Sequence, residues 1–152
     1  MQTKWTANAV DWTLDSVDLE EAHELRREFC DYLRARTSDD SQIDSAELVF
    51  GELLTNAIKH GCGPIDVRVE WKHGEPLLSV ADRGPGFVMA GWPPPDDLNE
   101  HGRGLFLAAT LSTGLSVVNR PGGGTCVSTM LPAHEAARPV LAKLQIDRGA
   151  PC

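Results

Sequence analysis

Glu52-Leu53-Leu54-Thr55-Asn56-Ala57-Ile58-Lys59-His60 is the stretch whose reading decides the fold. Extended back to Ile43, it lines up Ile43, Ala46, Phe50, Leu53, Leu54 and Ala57 as one apolar stripe at helical spacing, with Glu52, Thr55, Asn56, Lys59 and His60 opposite. Ser41, with Asp44 three residues on, predicts the start of this helix, and Gly61 its stop. Glu52 and Asn56 fall one turn apart. A polar helix face is usually only solvated surface. A carboxylate beside a neutral amide has a second reading, because the first can take a proton from a nucleophile and the second can offer its oxygen to Mg²⁺. The helix alone does not choose between them. Lys59 and His60 read first as cations drawn to a helix C-terminus, with contact to a phosphate as the alternative.

Upstream of that helix, residues 11–16 alternate with Trp12 and Leu14 on one side, as a short half-buried strand does. Asp18, followed three residues later by Glu21, opens a helix that carries Ala22, Leu25, Phe29, Tyr32 and Leu33 inward and runs to about Arg36. Downstream, Ile65, Val67 and Val69 alternate with Asp66, Arg68 and Glu70, His73-Gly74-Glu75 turns, and residues 77–82 form the hairpin partner. Residues 84–104 hold five glycines and the run Pro93-Pro94-Pro95, which suit neither helix nor ladder, so a loop is expected, with 87–101 as a moving lid. A helix over 105–112, strands over 115–119 and 125–131 and a short helix around 133–144, interrupted by Pro139, complete the expectation, with 147–152 frayed. The sum is α+β: a two-layer sandwich of helices on one face of a mostly antiparallel mixed sheet.

Composition narrows the function. A chain of 152 residues, 41% hydrophobic and 24% charged, has the size and make-up of one soluble domain. No apolar run approaches the ~18 residues of a membrane helix, and residues 1–10 do not read as a secretory signal. The expected location is the cytoplasm, with no membrane partner. A formal net charge of -8 argues against nucleic acid as a partner. Cys30, Cys62, Cys126 and Cys152 are far apart, without metal-ligand spacing, and read as reduced thiols.

Three further motifs follow the helix. Asp82-Arg83-Gly84-Pro85-Gly86 leaves a strand, and alternation puts Asp82 on the apolar side with Leu78 and Val80. That carboxylate is costly to bury without a hydrogen bond, and an adenine amino group is a suitable donor; a plain turn opened by an Asp is an equal reading of this motif alone. Gly102-Arg103-Gly104-Leu105 opens a helix, where free N–H groups and the dipole attract anions and Arg103 can add its charge. Gly123-Gly124-Thr125 starts the last strand and, alone, is a hairpin turn.

Taken in order, Glu52 to His60, Asp82-x-Gly84-x-Gly86, Gly102-x-Gly104-Leu105 and Gly124-Thr125 resemble the N, G1, G2 and GT boxes of the GHKL ATPases, the Bergerat-fold family of histidine-kinase catalytic domains. The resemblance spans about 11–131, and the short lid looks most like the RsbW-like branch, the anti-sigma factor serine kinases. It implies ATP and Mg²⁺ as cofactors, Asn56 as metal ligand, Glu52 as general base and Asp82 as reader of adenine. It further implies that Gly84, Gly86, Gly102 and Gly104 shape the nucleotide loops, that Arg103 and Leu105 belong to the phosphate-side box, and that Thr125 supports the adenine end. The implied activity is transfer of the γ-phosphate to a serine of a small antagonist protein, coupled to binding a sigma factor; a homodimer stays open. Two other classes remain: a nucleotide-gated binding module without transfer, and the catalytic half of a histidine kinase pair, for which no segment before Asp11 supplies a phosphoacceptor helix.

Overall fold

The computed structural model describes residues 1–15, 18–86 and 100–137, with 100–102 described by backbone only. Six strands and three helices follow in the order β1 (Gln2–Trp5), β2 (Ala9–Leu14), α1 (Leu19–Arg34), α2 (Asp40–His60), β3 (Ile65–Lys72), β4 (Glu75–Ala81), α3 (Glu100–Leu111), β5 (Thr113–Asn119) and β6 (Thr125–Met130). The strands form one sheet in the order β1-β2-β3-β4-β6-β5. The expected α+β architecture, helices laid on one face of an antiparallel sheet, is what the chain adopts. All pairings of the described strands are antiparallel, so the sheet is not mixed. The crossover through α3 carries the chain past the place of β6 to the far edge, and β6 then returns between β4 and β5.

Strict alternation in β3 sends Ile65, Val67, Val69 and Trp71 into the core and leaves Arg68 and Lys72 exposed. Trp12 and Leu14 of β2 and Leu78 and Val80 of β4 join them. From the helical layer come the expected α1 residues Ala22, Leu25, Phe29, Tyr32 and Leu33 and the α2 stripe from Ile43 to Ala57, all buried. Phe29 stacks on Phe50 with ring centroids 4.1 Å apart, which joins α1 to α2 above the sheet. Such an aromatic pair contributes about 0.5–1.5 kcal/mol beyond its buried area. Among the described residues no helix is long and apolar enough to cross a membrane.

Several element boundaries differ from expectation. β1 is an additional edge strand, paired with β2 from Gln2↔Thr13 to Trp5↔Val10. α2 starts at Asp40, capped by Asp39 and not Ser41: the Asp39 carboxylate accepts from the Ser41 N–H at 2.9 Å and from its hydroxyl at 2.6 Å. A carboxylate competes better than a hydroxyl for a helix's free N–H groups because its charge also meets the dipole. Gly61 does end α2, in extended rather than left-handed conformation. α3 begins at Glu100, so Gly102, Arg103, Gly104 and Leu105 lie inside the helix instead of leading into it. Residues 133–137 are not helical; they are tied down by backbone bonds from Glu135 to Gly74 and from Ala136 to Arg36. The expected lid over 87–101 falls, for 87–99, outside the described residues, as does the tail from 138.

Candidate functional site

Asp82 follows the last residue of β4, and its backbone N–H donates to Thr125 O at 2.9 Å, which continues the β4–β6 ladder by one step. Its neighbour Arg83 donates its N–H to Cys62 O at 3.0 Å, tying the same corner to the end of α2. Asp82 is thereby held at 9% exposure with its carboxylate turned inward, as alternation with Leu78 and Val80 predicts. Oδ1 accepts the Gly84 N–H at 2.8 Å. That is the one hydrogen bond its carboxylate makes among the described residues, which leaves acceptor capacity for a donor from outside.

Gly124 explains why the third motif is needed. It sits at φ +98°, and a Cβ there would run into Asp82 O and lie 2.8 Å from Arg83 Cα. The backbone of the β5–β6 turn therefore packs directly on the corner that aims Asp82. From the same turn, Arg120 extends Nη1 to within 3.4 Å of Asp82 O. Arg120 is a contributor that the sequence reading missed; nothing in the turn Pro121-Gly122-Gly123-Gly124 signals it, because its partner is a main-chain oxygen.

Beside this corner opens a cavity of about 270 Å³ between α2, α3 and strands β4, β6 and β5, lined by residues that include Asn56, His60, Asp82, Gly86, Leu105 and Thr125. Leu53, Ala57, Val80, Val117 and Val127 complete an apolar wall. Asn56, Asp82, Gly86, Leu105 and Thr125, expected from the sequence, are thus brought to one place. His60, read from the sequence first as a terminal cation with contact to a phosphate as the alternative, lines the cavity too; its position one turn beyond Asn56 was the available signal. Gly84 does not line the cavity but is buried behind it, its Cα side facing Gly61 and His60 O.

Glu52 and Arg103 stand apart. Glu52 belongs to a second hollow, on the outer side of α2, with Arg26, Asp44, Glu47, Leu48 and Gly51. It is half-buried, and a Cβ on Gly104 would collide with its carboxylate Oε2. The missing side chain of Gly104 therefore lets α3 lie directly against Glu52. Arg103, one residue earlier, is exposed and lines neither hollow. Because α3 starts earlier than expected, its free N–H groups among the described residues are those of 100–102, so neither Arg103 nor Gly104 supplies one.

No group of three or more metal-ligating side chains occurs among the described residues. A single amide such as Asn56 remains adequate for Mg²⁺, which keeps most of its ligands as water and substrate phosphate.

The chain's residues 16–130 match the family model of the histidine kinase-like ATPase domain. This chain belongs to that family. Comparison with curated proteins returns no match. A histidine kinase-like ATPase domain is a member of the GHKL superfamily and an ATP-binding unit, and the antiparallel sheet with three helices is its fold. The cavity meets the needs of an adenine nucleotide on its own chemistry. An apolar wall suits the faces of a base, and one buried acceptor suits its amino edge.

Proposed function

We propose that the protein is a serine/threonine protein kinase of the anti-sigma factor type, which phosphorylates a small antagonist protein and regulates transcription by exchanging partners. The observation that carries the reading is the buried Asp82 carboxylate at the wall of a cavity shared with Asn56 and Thr125. Asp82 would accept from the amino group of adenine, Thr125 would support that end, and Asn56 would offer its side-chain oxygen to Mg²⁺. Bound ATP supplies the phosphoryl group to be transferred, and Mg²⁺ the charge that offsets its phosphates. Gly104 keeps α3 against Glu52, whose Oε2 would take the proton of an acceptor serine hydroxyl as that oxygen attacks. Gly102 and Arg103, on the first turn of α3, would lie toward the phosphates. A phosphate on the acceptor adds about -2 charge to a contact surface, enough to separate partners that fit without it.

The position of Glu52 also favours a second reading. Its carboxylate lines the outer hollow and not the main cavity, as suits a side chain that only packs α2 on α3, and a nucleotide-gated binding module needs no base. One experiment separates the two. The protein is used to capture partners with and without Mg-ATP, and the captured small protein is then assayed for phosphoserine with the unaltered chain and with Glu52→Gln. Phosphoserine that depends on Glu52 supports the kinase; nucleotide-dependent capture without any phosphoserine supports the gated module.

A further inference from the structure

Among the described residues strand β1 is the free edge of the sheet at the end away from β5, and alternation puts Thr3 and Trp5 on one side of it. With Glu28, Asp31, Tyr32 and Ala35 of α1 and the turn after it, they line a hollow of about 380 Å³ that the ATP-binding reading does not use. Trp5 is 59% exposed, yet it is not loose: its ring lies 5.4 Å from that of Tyr32 and edge-on to buried Trp12 at 6.5 Å. Glu28 is positioned as firmly. Its Oε2 accepts the indole N–H of Trp12 at 2.8 Å and the hydroxyl of Thr3 at 3.4 Å, and it meets no cation among the described residues. Among the described residues Asp31 pairs with Arg34 alone, in an exposed contact at 3.3 Å of the kind that contributes little.

An electron-rich ring beside two carboxylates is a site for an organic cation. The fold already uses this chemistry next door. The guanidinium of Arg36 lies 5.8 Å from the Tyr32 centroid and 5.1 Å from that of Trp71, and it donates to the Tyr32 hydroxyl at 3.0 Å. The Trp5 side of the same aromatic cluster has no such cation among the described residues. Beside it runs the outer backbone edge of β1, which pairs with no strand among the described residues and all four of whose residues are exposed. Such an edge is a template for one more strand, and the net charge of -8 favours a basic one.

We propose that this hollow binds a guanidinium or alkylammonium side chain carried on an extended peptide of a partner protein, with the peptide backbone laid along the free edge of β1. Trp5 and Tyr32 supply the aromatic wall, Glu28 and Asp31 the charge, and β1 the main-chain bonds.

The test is a nitrogen-15 NMR titration of the full chain with the capped peptide acetyl-Thr-Val-Arg-Val-Thr-amide, with the same peptide carrying norleucine for arginine, and with agmatine. The arginine peptide is expected to shift the Trp5 indole N–H and the β1 amides, and to bind roughly fivefold to thirtyfold tighter than the norleucine peptide. Trp5→Ala should remove that difference, and Asp31→Asn, which leaves the Trp12–Glu28 bond intact, should reduce it. Equal binding of the norleucine peptide would overturn the cation site. Agmatine binding as tightly as the arginine peptide would overturn the strand-edge part and give the hollow to a free amine. Neither result bears on the nucleotide cavity, which lies toward the other end of the sheet, beside β4, β6 and β5.

Discussion

Asp82 illustrates how one residue concentrates the cost and the use of a buried charge. Its Oδ1 is satisfied by Gly84, and a ligand amino group is the natural second donor. Asp82→Asn keeps an oxygen for Gly84 and so should fold, yet on the proposed reading it would weaken the acceptor offered to adenine. Calorimetric titration should show ATP affinity reduced about tenfold to a hundredfold, and the unaltered protein should prefer ATP to GTP, whose carbonyl would face the carboxylate. Asn56 and Glu52 should separate although they are one turn apart. Asn56→Ala is expected to weaken Mg²⁺-dependent binding, whereas Glu52→Gln is expected to leave binding nearly intact and slow transfer to a serine by roughly 10²–10⁴. Transfer at the unaltered rate in Glu52→Gln would leave the packing role as the account of that residue. The thiols also differ by surroundings. Burial, aided by Glu47, raises the Cys30 thiol to about 11, while Cys62 is exposed. Since only the thiolate reacts, iodoacetamide at pH 8 should label Cys62 and spare Cys30, as peptide mass mapping can show.

At the scale of elements, the site depends on a turn and a helix approaching closely. Gly124 combines a positive φ with direct contact on Asp82 O, so Gly124→Ala has neither a relaxed backbone nor room for its methyl. A strained φ alone costs about 1–3 kcal/mol, and chemical denaturation should find at least that loss of stability, with nucleotide binding weakened as well. The helices were readable because their stripes are long: α2 buries Ile43, Ala46, Phe50, Leu53, Leu54 and Ala57, as a 3.6-residue period requires. β1 was not. Gln2–Trp5 has no buried residue, and such a strand exists only because β2 offers it a partner. The start of α3 was misplaced for a related reason: Gly102 and Gly104 are poor helix formers, and the helix keeps them because α2 packs where Gly104 has no side chain.

For the molecule as a whole, ligand binding and stability are linked. A nucleotide that binds only the folded chain adds about 2.7 kcal/mol at a hundred times its Kd, which for a chain of this size is a rise of roughly 5–10 °C in Tm. Mg-ATP should produce that rise and Mg-GTP a smaller one in differential scanning fluorimetry. Asn56→Ala should blunt the effect of Mg-ATP, and no shift at all would mean that the cavity between α2 and β6 is not where nucleotide binds.

The amino-acid sequence by itself determined the α+β class, the inward faces of α1, α2 and β3, and the burial of Asp82. Each of these rests on a local period, and a period is written in the chain. It also named Asn56, Gly86, Leu105 and Thr125, because four short motifs occurred in one order. Only the tertiary structure decided that Glu52 faces Gly104 outside the cavity, that Arg120 reaches Asp82 O, that His60 lines the wall, and that Trp5 stands over Tyr32 at a free edge. Those facts depend on which strands become neighbours, with β6 inserted between β4 and β5 and β1 added outside β2. That order is set by the packing of distant segments, and no local spacing records it.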